Sequence, residues 1–322
     1  MTDSPTRRLK DESIDVIHLN PPSLFTAPRG HAPFLPLVFR WLMTASCLWV
    51  LSGCGCASMR HRMAYNRRAA PEPCVLTPDA TSEEIVNVLN DNITKLYAWR
   101  STDVKITARE KGVPFTFSAH MAVESPRKLR LIVRSLAADE VDLGSNPERF
   151  WFWMKRSKTR GILTASYDDV AEGRPMGPVP FQPDWLIETL GVVPFAAADF
   201  QMYEIPGSQP RRVQFVGDEV TPQGKRVQRT MLVDACHGVV LEHSLRDPSG
   251  RVIAKATLGN YQREPSGVRM PHRIDLLWPD SEVDLTLRIG TIEVNPTTIS
   301  EQTWSMPSYP NSPVIDLTRF RP

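Results

Sequence analysis

Cys236, His237 and His243 are the residues whose types and spacing come nearest to a metal site or to a nucleophile with its base. A zinc site needs about four ligands, and no further cysteine or histidine stands at ligand spacing beside these three. Two histidines that flank a pair of strands are more simply surface residues. We therefore expect no bound metal ion.

The carboxylates of Asp139, Glu140 and Asp142 are close enough in sequence to gather a cation. They stand just before Gly144 and Asn146, which are residue types typical of a turn, so the sequence favours a solvated acidic loop. The chain also lacks the nucleophile-elbow, zinc-protease, P-loop and dinucleotide-binding patterns. We therefore predict a protein that is not an enzyme, with no catalytic residue and no cofactor.

The thiol of Cys54 has the most specific chemical context in the chain. The apolar run Trp41 to Val50 follows Arg40 and ends in Leu51-Ser52-Gly53-Cys54. A leucine, two small residues and a cysteine at the end of such a run resemble a bacterial lipobox, whose thiol receives a diacylglyceryl group. The stretch from Trp41 to Gly53 is about 13 residues long, within signal-peptide range and short of the ~20 that a spanning helix needs. We therefore expect cleavage between Gly53 and Cys54 and lipidation of Cys54.

This interpretation divides the chain into three parts. Residues 1–53 are an N-terminal extension and signal peptide, residues 54–80 a basic, proline-containing tether, and residues 81–322 the folded domain. The arginines of the tether either attract anionic head groups or belong to a solvated linker. Gly55 stands where an aspartate would retain a Gram-negative lipoprotein in the inner membrane. We therefore expect a lipid anchor in the outer membrane, with the domain facing the periplasm.

The composition excludes some partners and fits a β-rich domain. The 38 basic and 36 acidic residues give a net charge of +2, which provides no electrostatic case for nucleic acid. The 29 prolines and 17 glycines suit many short strands separated by turns. Cys74 and Cys236 could form a disulfide in an oxidising envelope or remain free, and the sequence leaves both open.

Two helices are predicted among many strands. Thr81 and Glu84 form a capping-box pattern, followed by apolar residues at helical spacing over residues 81–98. A shorter helix is predicted from Pro183 to a C-cap at Gly191. Elsewhere apolar and polar residues alternate, which is typical of antiparallel strands with one buried face. The predicted fold is mainly β (α+β): one curled antiparallel sheet, or half-barrel, of about ten strands whose concave face the helices cover.

An apolar ligand could occupy the part of that face left uncovered by the helices. The aromatic run Phe150 to Met154 is expected to be buried on both sides of the sheet, and part of it either lines a cavity or is simply core. The candidate cavity residues are Phe115, Phe117, Met121, Leu131, Val133, Trp151 and Trp153.

The order of elements and motifs in the chain resembles that of a known family. An amphipathic helix leads into alternating strands that carry Pro126-Arg127-Lys128-Leu129-Arg130-Leu131. Asp142 to Asn146 then leads into Phe150-Trp151-Phe152-Trp153, and a late strand reads Gly267 to Ile274. This order resembles the superfamily of the lipoprotein carrier LolA and its receptor LolB over roughly residues 81 to 310. More narrowly, it is similar to lipoprotein-anchored members from planctomycete-type bacteria.

The resemblance implies an incomplete barrel whose apolar cavity accepts the acyl chains of lipoproteins in transit. The lipobox favours the receptor-like arrangement, in which a protruding loop inserts lipoproteins into the membrane; Arg174–Pro183 is the candidate by position. We therefore expect a membrane-anchored lipoprotein that binds acyl lipids or other lipoproteins. The alternative is an envelope scaffold or sensor that transfers nothing and whose concave face is packed shut.

Overall fold

The computed structural model describes residues 73–110, 113–135, 138–157, 159–174 and 183–319. The lipobox ending at Cys54, the leader and most of the tether lie outside the described residues, as does most of the loop between Arg174 and Pro183. Cleavage and lipidation at Cys54 therefore stay predictions. Among the described residues, no helix has the length and apolar character needed to cross a membrane.

The described residues form fifteen strands, numbered β1 to β15 in chain order: Ala98–Glu110, Val113–Glu124, Lys128–Arg134, Asp139–Ser145, Arg149–Met154, Ile162–Ser166, Gln201–Glu204, Arg212–Val220, Arg226–Asp234, Val239–Arg246, Val252–Arg263, Arg269–Trp278, Val283–Ile289, Glu293–Val294 and Val314–Asp316. They form one open sheet in the order β15-β6-β5-β4-β3-β2-β1-β13-β12-β11-β10-β9-β8-β7, with β14 paired to β1.

The sequence predicted a mainly β fold, which is confirmed, but its estimate of about ten strands was too low. Three of the missed strands, β7, β14 and β15, have only two to four residues each. The fourth is β4, Asp139–Ser145, which was predicted to be an acidic loop and a turn. In addition, β15 pairs with β6 in parallel, so the sheet is not purely antiparallel.

Glycine at position 144 marks a close packing contact within strand β4 and does not mark a turn. A Cβ atom at Gly144 would lie 2.2 Å from the Trp151 ring, so only glycine lets this ring lie flat against β4. The chain turns slightly later, where Asn146 Oδ1 accepts hydrogen bonds from the backbone N–H groups of Glu148 and Arg149.

The sheet curls until residues near its two ends meet. Helix α2, Tyr167–Ala171, follows β6 near one end, and the β8–β9 turn lies near the other. A Cβ atom at Gly173 would lie 2.6 Å from the carbonyl oxygen of Pro222, and Gln223 Nε2 donates to the Arg174 carbonyl oxygen at 3.4 Å. These contacts bring segments near the two ends of the sheet together, although no strand pairing joins β15 to β7 among the described residues.

Helix α1, Ser82–Thr94, begins as its capping residues predict. Thr81 is the N-cap, with its Oγ1 accepting from the Glu84 N–H while Glu84 Oε2 accepts from the Thr81 N–H at 2.7 Å. The helix is shorter than the predicted 81–98 because Ala98 already begins β1. It buries Ile85, Val86, Leu89 and Ile93 against the concave face of the sheet.

Helix α3, Pro183–Thr189, covers a second part of the concave face. It is followed by Gly191, whose φ of +82° fits the predicted end of this helix. The indole N–H of Trp99 donates to the carbonyl oxygen of Leu190 at 3.3 Å, which fixes the end of the helix to β1. The apolar side of α3 is buried at Trp185, Leu186 and Ile187.

Candidate ligand-binding face

Cross-strand register places most of the predicted cavity residues on one face of the sheet. Met121 lies opposite Leu131, and Leu131 lies opposite Leu143 on the next strand. Leu143 lies opposite Phe152. Because side chains alternate along a strand, Phe115, Phe117 and Val133 share this concave face with Met121 and Leu131.

Exposure divides this face into a covered part and an open part. Met121 and Val133 are buried, at 4% and 7% exposure, and belong to the main core. Five other apolar side chains on the same face are only partly buried. We call them the open apolar patch: Phe115, Phe117, Leu131, Val141 and Phe152.

The structure places Trp151 and Trp153 away from this patch. Alternation along β5 puts them on the opposite, convex face, so the prediction that they share a cavity with Met121 and Leu131 is wrong. They are buried in a second cluster with Ile162, Met306 and Tyr309. The prediction that β5 is buried on both sides is therefore met only in part. Phe150, Trp151 and Trp153 are buried, whereas Phe152 is partly exposed, and each face has a different cover.

The cover of the convex face is the C-terminal segment, which is bound through a buried charge. Asp142 is fully buried and accepts hydrogen bonds from Arg130 Nη2 at 2.7 Å and from Tyr309 Oη at 2.7 Å. Trp151 Nε1 donates to its other oxygen at 3.3 Å. Burial and the Asp142 carboxylate raise the pKa of Tyr309, which therefore stays a neutral donor.

Arg130 links the same network to the C-terminal backbone. Its Nη1 donates to the carbonyl oxygens of Thr303 at 3.1 Å and Ser305 at 2.7 Å. The ring of Tyr309 stacks on Trp153 with 3.7 Å between ring centroids. The acidic residues predicted to be a solvated loop are thus paired on a strand. Asp142 is bound by Arg130 on the neighbouring strand β3 and by Tyr309, which is distant in sequence.

A cavity of about 60 Å³ lies between α1, α3 and strands β10 to β12. Its lining is mostly apolar and includes Leu89, Ile93, Leu190, Leu258 and Met270. An engineered apolar cavity of about 150 Å³ is needed to hold benzene. This cavity is therefore too small for an acyl chain in the conformation of the structure.

His243 is a buried lining residue of this cavity, so its prediction as a surface histidine is wrong. It is 3% exposed, and its Nε2 atom has no hydrogen-bond partner among the described residues. Burial, with a smaller effect of the Arg229 cation, lowers the pKa of His243 to about 3. Glu188 lines the same cavity and pairs with Arg229 at 2.5 Å, while burial raises the pKa of Glu188.

The neutral state of buried His243 predicts a pH-dependent stability. The unfolded chain binds a proton at this imidazole below about pH 6.5, whereas the folded protein does so only near pH 3. Stability is therefore complete above pH 6.5 and falls as the pH drops towards 3, by about 1.4 kcal/mol per pH unit. Urea unfolding of wild type and His243→Leu at pH 7.5, 6.5, 5.5 and 4.5 measures the difference. Parallel profiles for the two proteins would contradict the prediction.

Cys236 and His237 do not form a metal site with the ligands that the structure describes. Ligand atoms of Asp234, Cys236 and His237 lie within 4.8 Å of one another, but the Cys236 sulfur is bonded to Cys74. His237 Nδ1 lies 2.8 Å from Asp234 Oδ2. The structure thus contains the disulfide that the sequence left open, and it fixes residue 74 to the turn between β9 and β10.

The fold is an open, curled sheet whose apolar concave face is partly covered by helices. Solved structures similar to it include three bacterial proteins. One is described as an outer membrane lipoprotein-sorting protein domain from Vibrio parahaemolyticus (TM-score 0.45, 11% identity, 69% of this chain and 97% of that chain). Another is a LolA superfamily protein from Nitrosomonas europaea (TM-score 0.45, 9% identity, 70% and 98%).

The third is a DUF1329 family protein from Desulfovibrio piger (TM-score 0.45, 8% identity, 70% of this chain and 97% of that chain). One of these similar structures is thus described as a member of the LolA superfamily, which is the superfamily that the sequence pattern resembles. No protein-family model and no curated protein sequence matches the chain.

Proposed function

We propose that the concave face binds acyl chains of lipids, or of lipidated proteins, in the cell envelope. The observation that carries the proposal is the open apolar patch. Its five side chains extend the buried core to a partly exposed surface. An apolar face left partly open inside a curled sheet is the kind of surface on which ligands bind. It offers aromatic and aliphatic side chains, which suit a ligand made of methylene groups.

The binding energy would come from the burial of apolar surface. Each methylene group removed from water contributes about 0.8 kcal/mol, so a chain of ten buried methylenes has about 8 kcal/mol available before the costs of association. Met121 lies beside the patch, and its flexible thioether can adapt to chains of different shape. Release would require an apolar acceptor such as a membrane, because water is a poor solvent for the chain.

The lipid anchor at Cys54 is part of this proposal. It would hold the domain at the periplasmic side of the outer membrane, the location that the sequence favours, and two acyl chains give stable attachment where one does not. The similar structure that is described as a lipoprotein-sorting protein domain is consistent with a role in lipoprotein or lipid handling. Binding of an acyl ligand does not depend on which of the two membranes holds the anchor.

One observation favours a second function, that of a scaffold whose concave face is packed shut. The cavity beneath α1 has a volume of only about 60 Å³. Large side chains such as Trp99, Phe215 and Leu190 are almost fully buried on the concave side. A protein of this kind would hold partners on its surface and retain no lipid, so ligand retention separates the two functions.

Charged substitutions in the open apolar patch test the proposal. We expect Phe117→Asp or Leu131→Asp to reduce retention of a diacylglyceryl-cysteine peptide at least about tenfold, because a carboxylate placed against acyl chains costs more than 1.4 kcal/mol. Native mass spectrometry of the full chain carrying Cys54→Ala measures the retained adduct. Both positions are partly exposed, so the fold should tolerate the change, which circular dichroism verifies.

A matched control is available on the same strand. Ser118 lies next to Phe117 on the convex face and accepts a hydrogen bond from Lys105 Nζ at 2.8 Å. Ser118→Asp adds the same charge, keeps an acceptor for Lys105 and should retain the peptide as wild type does. Equal retention by all three variants, or no adduct with wild type, would rule out the acyl-binding proposal and favour the scaffold.

A further inference from the structure

The cavity beneath α1 contains one polar atom that the protein leaves unsatisfied. Of its other polar side chains, Tyr261 donates to the carbonyl oxygen of Val240, and Thr189 donates to that of Trp185. Asn92 both donates to and accepts from the backbone of Arg269. Among the described residues that line the cavity, His243 Nε2 is the buried side-chain atom with no hydrogen-bond partner.

An unpaired imidazole nitrogen in an apolar cavity costs free energy that a ligand can recover. A buried donor or acceptor without a partner typically destabilises a protein, and native structures seldom keep one without a reason. The His243 ring lies beside the Phe195 ring, 5.6 Å between centroids, so one side of it is fixed by an aromatic contact. The remaining space next to it is the 60 Å³ cavity.

The charges around the cavity favour an uncharged ligand. Arg229 opposes protonation of His243, and burial does so more strongly, so the imidazole is neutral. Glu188, which faces the same cavity from α3, neutralises Arg229, so this ion pair offers no net positive charge to a carboxylate. A neutral imidazole nitrogen pairs well with a hydroxyl group, and in the tautomer protonated at Nε2 it donates to an ester carbonyl. The volume of the cavity suits a polar group of a few atoms and excludes a whole acyl chain.

We infer that His243 binds the uncharged polar end, an ester carbonyl or a hydroxyl group, of an acyl lipid whose first methylenes contact the apolar lining of this cavity. This inference rests on the proposed acyl-binding function and adds the chemical class of the head group. The site selects esters and alcohols over free carboxylates. It makes His243 a specificity residue for the polar end of the ligand.

Three probes with similar chains test the selectivity: methyl laurate, laurate and dodecane, each titrated into the full chain at pH 7.5. Wild type should bind methyl laurate roughly tenfold more tightly than laurate or dodecane, which is the effect of one satisfied buried hydrogen bond. In His243→Phe the ester should bind no better than dodecane, while dodecane binds as it does to wild type. Loss of binding by all probes to wild type would overturn the proposed function itself.

Equal preference for the ester in wild type and His243→Phe would overturn only the inference about His243. Nitrogen-15 NMR of the imidazole provides a measurement that needs no variant, since methyl laurate should shift the His243 Nε2 resonance and dodecane should not. No shift with bound ester contradicts the inference even if the variant fails to fold.

A competition experiment identifies the source of the ester. Displacement of methyl laurate by a diacylglyceryl-cysteine peptide assigns the site to lipidated proteins, and displacement by phosphatidylethanolamine assigns it to membrane lipid. Displacement by neither compound overturns the inference.

Discussion

Asp142→Asn is expected to lower the free energy of unfolding by about 3–5 kcal/mol, among the largest effects of a single substitution in this protein. Asp142 is fully buried and is the anion that neutralises Arg130, whose side chain is only 10% exposed. Asparagine keeps the shape of the side chain but removes its charge. The Arg130 cation would then stay buried without a counter-charge, which costs far more than the loss of one neutral hydrogen bond.

The same substitution should release the C-terminal segment. Tyr309 donates to Asp142, and Arg130 donates to the backbone of Thr303 and Ser305, so the network fixes the cover of the convex face. We expect faster hydrogen exchange and easier proteolysis around residues 301–316 in Asp142→Asn than in wild type. Urea unfolding measures the stability, and exchange mass spectrometry measures the local opening.

An exposed ion pair provides the matched control. Arg100 and Glu293 lie 2.6 Å apart with both side chains about half exposed, at 43% and 50%. Glu293→Gln removes the same type of charge and should change stability by less than about 1 kcal/mol. If Asp142→Asn costs no more than Glu293→Gln, the buried network does not hold the C-terminal segment as we describe.

Loss of the Cys74–Cys236 disulfide is expected to lower the free energy of unfolding by about 2–5 kcal/mol. The bond closes a loop across a sequence separation of 162 residues. Such a long loop restricts the unfolded chain strongly, and the chain-entropy relation gives about 5 kcal/mol for it. The double variant Cys74→Ser/Cys236→Ser should therefore unfold at clearly lower urea concentration than the oxidised wild type.

Reductant gives an internal control for this prediction. Dithiothreitol should lower the unfolding midpoint of wild type to that of the double variant and leave the variant unchanged. The N–H of Val75 also donates to the Cys236 carbonyl oxygen at 2.8 Å, and Arg211 donates to that of Ala80, so part of the attachment of residues 74–80 survives reduction. Identical midpoints for oxidised and reduced wild type would show that the bond contributes no stability.

Local patterns predicted much of the fold because they act over a few residues. The capping box at Thr81 specified the start of α1, since both partners lie within one helical turn. Alternation predicted strands such as β2 and β3, and the common face of Met121 and Leu131 followed from it. The five apolar residues of β5 correctly indicated a strand with apolar contacts on both faces, with Phe150 buried on one face and Trp151 and Trp153 on the other.

The errors arose where distant partners decide the environment of a residue. Strand β4 was mistaken for an acidic loop because Asp142 is polar, and its partner Tyr309 lies 167 residues away in sequence. Gly144 was interpreted as a turn residue, although it is small because the Trp151 ring lies on it. The spacing from Gly144 to Trp151 is a signal that could have suggested a hairpin with a ring packed on glycine.

The sequence by itself determined that this protein is a β-rich domain with one apolar face along its strands and a capped helix in front of them. It could not determine which apolar residues share a cavity, because Trp151 and Leu131 differ only in which face of the sheet they occupy and in what covers that face. Nor could it show that His243 is buried, since its cover comes from α1 and α3. Burial depends on contacts between segments distant in the chain, and those contacts exist only once the sheet has curled and its two faces are covered.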